Sequence, residues 1–168
     1  MDSAAHDSRE QLSRKIVLID LENMLFGDHE SNASHRACAG DQILSLAQAR
    51  RPTDQLILGC NPQLAFVAKD LFPTARIVTG KGKDGADRAL VATLDLDHAA
   101  TRFSELCIVS GDHAFTGFAR QARQCGLAVR VVAPHAGLST TLRLQANVSV
   151  FLPEAPTLPG THQSGLAA

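Results

Sequence analysis

Short apolar runs recur along the chain: KIVLID (15–20), QLILGC (55–60), ARIVTG (75–80), ELCIVS (105–110) and LAVRVVAP (127–134). Each is rich in Ile, Val or Leu, has the length of a strand and is bounded by turn residues. Such runs suit parallel strands covered on both faces. VSVF (148–151) is weaker and reads as an edge strand. Between the runs the apolar period changes to that of a helix. Asn61-Pro62 supplies a cap and a first-turn proline, followed by Leu64, Val67, Ala68 and Leu71 at i, i+3, i+4 and i+7, and Pro73 ends the segment. Phe115, Phe118, Ala119 and Ala122 repeat the spacing after Asp112, with Gly126 as the C-terminal cap. Leu90, Val91 and Leu94 predict a helix over 86–102, and another is expected over about 38–50, before Arg51-Pro52. Strand and helix in alternation predict an α/β fold: a three-layer α/β/α sandwich around a mainly parallel, doubly wound sheet.

The ends differ from this pattern. Residues 1–14 are polar and aperiodic and are expected to be disordered, and the proline-rich segment 153–168 is expected to be a flexible tail. One domain, 15–152, lies between. No apolar run approaches the roughly 20 residues of a membrane span, and MDSAAHDSREQLSR has no apolar core of a secretory signal. The expectation is a cytoplasmic protein with no membrane partner.

In an open parallel sheet, ligands bind outside the carboxyl ends of the strands. Asp20, Glu22 and Asn23 follow the first strand and Asn61 the second. Lys81, Lys83, Asp84 and Asp87 follow the third, and Ser110 and Asp112 the fourth. Asp87 lies three and four residues before Leu90 and Val91, so it shares the core-facing stripe of its helix, whereas Asp95 and Asp97 fall farther from the edge. Taken singly, each acid has an ordinary reading: Asp112 as a helix cap, Asp20 as a turn residue, Asp87 as a partner of the helix dipole. Asn61 reads as a cap and Lys81 and Lys83 as solvated loop residues. Taken together, Asp20, Asp87 and Asp112 would repel one another unless protonated or neutralised by a cation. An oxygen-only ligand set suits Mg²⁺ or Mn²⁺, ions that serve phosphate chemistry.

These segments also resemble a known family. VLIDLENM (17–24), GKDGADRALV (82–91) and IVSGDHAF (108–115) resemble, in order and spacing, the three motifs of the NYN domain, a branch of the PIN-like nuclease group. The resemblance spans about residues 15–152 and implies a PIN-like fold with metal-dependent ribonuclease chemistry. Carried over by position, it makes Asp20, Asp87 and Asp112 catalytic, metal-binding carboxylates, with Asp84 as the alternative to Asp87. Asn23 would orient the site, and Ser110 would support the ligands or touch substrate phosphate. RNA is the implied partner. The chain departs from the pattern at Ala114, which stands where the family has a further aspartate. That leaves acids for one ion and puts a second in doubt. Glu22 is a substitute carboxylate if the first strand continues past Asp20. His113 is adjacent to Ala114, but neighbouring helical residues diverge by about 100°. The alternative reading is a catalytically impaired NYN-fold module that binds RNA or protein.

Composition narrows the partners. Net charge is −1, so no bulk positive field holds nucleic acid. Tyr and Trp are absent, which leaves few stacking platforms for bases. Phosphate contacts would have to come from particular cations: Arg36, Arg50, Arg51, Lys81, Lys83, Arg120, Arg123, Arg130 and Arg143 are available, of which Lys81 and Lys83 sit at the expected active edge. Cys38, Cys60, Cys107 and Cys125 form no CxxC pair, which argues against a zinc or redox motif.

Overall fold

A computed structural model describes residues 14–24, 33–50 and 52–153. The expected disordered start and flexible tail therefore lie almost wholly outside the described residues. Arg14, placed with the disordered start, belongs to the fold: its backbone carbonyl accepts from the Ser104 N–H, and its guanidinium lies over the Phe103 ring.

Strand β1 (Lys15–Asp20) is followed without a break by a single helical turn, α1 (Leu21–Met24). Then come α2 (Ala33–Leu46), β2 (Gln55–Cys60), a 3₁₀ turn and α3 (Ala65–Leu71), β3 (Arg76–Thr79), α4 (Gly85–Ala92), α5 (Leu96–Ala100) and β4 (Glu105–Val109). A second 3₁₀ turn leads into α6 (Thr116–Gln124), then β5 (Ala128–Pro134), α7 (Thr140–Arg143) and β6 (Val148–Leu152). All neighbouring strands pair in parallel, in the order β3-β2-β1-β4-β5-β6, so the sheet is wholly rather than mainly parallel. Helices cover both faces, giving the three-layer sandwich, and β6 is an edge strand as its weak pattern suggested. No helix among the described residues is long and apolar enough to cross a membrane.

Alternation along the strands sorts the core into two halves. Ile16, Leu18, Leu106, Ile108 and Val131 pack with Leu90, Leu96, Phe118, Ala119 and Leu142 of α4–α7. Val17, Ile19, Cys107, Val109 and Val132 pack on the other face with Ile43 of α2 and Ala68 of α3. The same parity places polar ends. Lys15 shares the face of Val17, and its buried ammonium reaches the Ala47 carbonyl at 3.3 Å and Glu105 at 3.2 Å. Glu105 also accepts from Arg130 Nε at 2.9 Å, so the amino edge of the sheet carries an internally compensated network. Asp20 and Ser110, in phase with Leu18 and Ile108, fall instead on the face covered by α4.

Two helices differ from expectation. The predicted helix over 86–102 is two helices: the first ends at Ala92 with Thr93 as its cap, and Asp95 starts the second by accepting the His98 N–H at 3.0 Å. The helix expected over 38–50 runs earlier, Ala33–Leu46, and stops before Gln48, whose φ of 52° is left-handed.

Glycines let α4 approach the sheet. A Cβ on Gly80 would lie 1.8 Å from the Gly85 carbonyl oxygen, and one on Gly59 would lie 2.5 Å from Leu90 Cγ. Leu90 thus rests on Gly59, the strand partner of Asp20, which puts Asp87, one turn earlier, beside Asp20. Gly80→Ala should force β3 and α4 apart and cost about 1–3 kcal/mol, as overpacking does. Gly117→Ala, in open space on α6, should be neutral or stabilising by up to about 1 kcal/mol. Urea unfolding of both variants checks this, and equal stabilities would refute the close approach.

Candidate active site

The sheet reverses its winding between β1 and β4, the switch point where α/β folds leave a crevice. Asp20 ends β1, and Ser110 and Asp112 follow β4. A cleft of about 250 Å³ opens there, lined by Asp20, Glu22, Asn23, Gly82, Lys83, Asp84, Ala86, Asp87 and Asp112. The three aspartates singled out in the sequence therefore meet at one opening.

A hydrogen-bonded chain ties the two strand ends together. Ser110 Oγ donates to Asp20 Oδ2 at 2.9 Å and accepts from the Asp112 N–H at 3.1 Å. The Asn23 N–H reaches Asp20 Oδ1 at 3.3 Å, while Asn23 Oδ1 accepts from the Gly111 N–H at 3.0 Å. Ser110 is fully buried and Asn23 stands on the single turn of α1, so both side chains brace the site across the switch point. Gly111 is close-packed as well: a Cβ there would lie 2.1 Å from the Gly137 carbonyl oxygen.

Burial raises the Asp20 pKa against the lowering effect of the Asn23 and Ser110 hydrogen bonds. Asp87 is pushed up to about 7, first by burial, then by the charges of Asp20 and Asp112, by a hydrogen bond shared with Asp20 and by Asp84. No Lys or Arg forms an ion pair with Asp20, Asp87 or Asp112 among the described residues. With no cation paired to it among the described residues, Asp87 favours its protonated form up to about pH 7. Asp112 Oδ1 caps the next turn by accepting the Ala114 N–H at 2.8 Å and lies 3.0 Å from His113 Nδ1, so the ordinary cap reading and the cleft position hold together. As the side chains stand, no group of three or more His, Cys, Asp or Glu among the described residues is gathered closely enough to hold a metal ion.

The remaining candidates separate. Lys83 and Asp84 line the cleft, Asp84 in a left-handed conformation just ahead of α4, whereas Lys81 is exposed and absent from the lining. Glu22 lines the cleft, but the strand does not continue past Asp20: the helical turn of α1 carries the carboxylate to the Asn61 N–H at 2.7 Å. Asn61 caps its own helix through Oδ1 and is not part of the lining. Ala114 is exposed and outside the lining, and His113 points into solvent. Ser139 hydrogen-bonds Thr141 and Arg143 stacks over Phe151; neither borders the cleft. Gly59, Gly80 and Gly85, which set the position of Asp87, were not read from the sequence. The signal was present in Gly59, an isolated glycine inside an apolar strand, which marks close approach by another element.

In metal-free protein a carboxyl whose folded pKa is raised stabilises the fold only while protonated. That contribution is complete below the unfolded value near 4 and is lost as pH rises through about 7. Asp87→Asn should therefore melt several degrees higher than wild type at pH 8 and match it at pH 4. Scanning calorimetry at both pH values checks this, and a pH-independent difference would contradict the cause given for the shift.

Comparison with known proteins adds the fold alone. No family model matches the chain, and no curated protein matches it. A crystal structure of a protein of unknown function from Vibrio parahaemolyticus is similar, with a TM-score of 0.61 and 14% identity over 86% of this chain and 96% of that one. At that identity, what the two chains share is an α/β architecture.

Proposed function

We propose that this chain is a metal-dependent ribonuclease of the NYN type, hydrolysing RNA phosphodiester bonds at the cleft formed by Asp20, Asp87 and Asp112. The observation that carries the reading is the meeting of these three carboxylates at the switch point with no Lys or Arg paired to them among the described residues, one of them raised to about 7. Buried like charges of this kind are relieved by a proton or by a bound ion. The donor chemistry fits Mg²⁺ or Mn²⁺: all-oxygen, with one ion the natural load. Asp20 and Asp87 would hold it, and Asp112 would join them through the oxygen not engaged in capping. A divalent ion there would supply Lewis-acid charge to the scissile phosphate and lower the pKa of a water. Ser110 and Asn23 keep Asp20 and the start of the Asp112 turn in fixed relation, and Lys83 at the rim meets substrate phosphate. Because Asp87 must lose its proton to bind an ion, metal affinity should rise with pH up to about 7 and level off above it.

Two observations favour the second reading, a catalytically impaired module that binds RNA or protein through the same fold. The acids are not gathered into a cage, and Ala114 offers no fourth carboxylate.

The test is cleavage of single-stranded and structured RNA with Mg²⁺ or Mn²⁺. Wild type should cut, and Asp112→Asn should cut at least about 10-fold more slowly, since losing even a group that only supports a metal ligand costs about 10- to 100-fold. Chelation should abolish cleavage. RNA binding without cleavage in any condition would favour the impaired module, and equal cleavage by wild type and variant would rule out this site. Titration with Mg²⁺ should also raise the melting temperature at pH 8, since an ion that binds only the folded state stabilises it.

A further inference from the structure

A second concave surface lies on α6, the helix that begins just beyond Asp112. It is a shallow, open groove of about 280 Å³ lined by Arg120, Arg123, Gln124 and Gln145. The lining holds two guanidinium groups, two carboxamides and no carboxylate. Neither arginine forms an ion pair or side-chain hydrogen bond among the described residues, and neither carboxamide has a side-chain partner. Asp97 of α5, the helix before β4, accepts from the Cys125 thiol at 3.3 Å. In a chain of net charge −1, two unpaired arginines sharing one concavity are a local concentration of positive charge rather than part of a general field.

Arginine forks suit phosphate oxygens, and carboxamides can donate to phosphate or sugar hydroxyls. The position along the helix matters as much as the chemistry. Three residues of 3₁₀ turn and then α-helix separate Asp112 from Arg120 and Arg123, about 13 and 18 Å along the axis. That is a span of a few nucleotides.

We propose that the Arg120–Arg123–Gln124–Gln145 groove holds the phosphate backbone of a single RNA strand whose other end lies in the acidic cleft. The occupant rests on the ribonuclease reading, because the cleft supplies the reason for RNA. The groove's affinity for a polyphosphate strand is measurable without cleavage.

The test is fluorescence anisotropy in EDTA with a labelled oligouridylate of about 15 nucleotides, within the range that single-strand grooves occupy. Arg120→Ala/Arg123→Ala should weaken binding roughly 10- to 25-fold at 0.1 M salt. It should also reduce the slope of log K against log salt by about 1.4, the value for two phosphate contacts on a single strand. Arg76→Ala/Arg102→Ala, which removes the same charge from exposed positions elsewhere, should change binding less than about twofold. The pair Arg120→Gln/Arg123→Gln keeps the side-chain stems and should reproduce the loss with an unchanged melting temperature. Equal losses in the groove and control variants, or no loss in the groove variants, would overturn the proposal. Displacement of the RNA by polyglutamate at equal charge concentration would also overturn it, in favour of an acidic protein partner. Loss in the groove variants alone, from a wild type that binds RNA but never cuts it, would uphold the groove and remove the ribonuclease reading.

Discussion

The architecture turns on the burial of one carboxylate. Asp20 ends the central strand, has little exposure and no cationic partner among the described residues, yet must be accommodated at the seam where the sheet changes direction. Its two oxygens are satisfied by groups from both sides of that seam, the Ser110 hydroxyl and the Asn23 amide. The same groups then reach onward to the Asp112 N–H and, through the Asn23 side chain, to the Gly111 N–H. Solvating Asp20 therefore also fixes the turn after β4. The third acid arrives by packing: Leu90 settles on a strand glycine and carries Asp87 toward Asp20. Hydrogen bonds position two corners of the site and steric fit positions the third.

Much of the framework was legible because the determining interactions are local. β1 and β2 coincide with KIVLID and QLILGC, where β-branched and apolar residues end at turn residues. The Asn61 cap and the helical phase of Asp87 were also readable from spacing. What was not legible depended on competition between equally good local options. The helix over 86–102 closed at Ala92 and restarted after Asp95, since an aspartate can cap a new helix as readily as it can lie on the surface of an old one. Glu22 was carried to Asn61 because the chain turned into a helix at once after Asp20, a choice set by the tertiary position of Leu21 in the core. The groove on α6 was equally out of reach, as Gln145 joins Arg120 only after the chain has formed another strand and helix.

The seat of Asp112 shows how one side chain can serve two demands. Its Oδ1 holds the first turn after β4, so the residue is ordered whether or not anything enters the cleft. The cost is that this oxygen is already engaged, which agrees with the absence of a ready-made cage among the described residues. A site of this kind is held in register by capping and hydrogen bonding, and its final closure is left to whatever binds.

The two ends of β1 and β4 settle charge in opposite ways. At the amino edge, Lys15, Glu105 and Arg130 neutralise one another within the fold. At the carboxyl edge, Asp20, Asp87 and Asp112 do not. Selection for thermal endurance alone would therefore pull on the same two strands in contrary directions, preserving Glu105 and discarding Asp87. A lineage that keeps its carboxyl-edge acids does so against its own folding stability. Libraries ranked by melting temperature would erode the cleft first, so a screen meant to improve this protein must read something other than heat resistance.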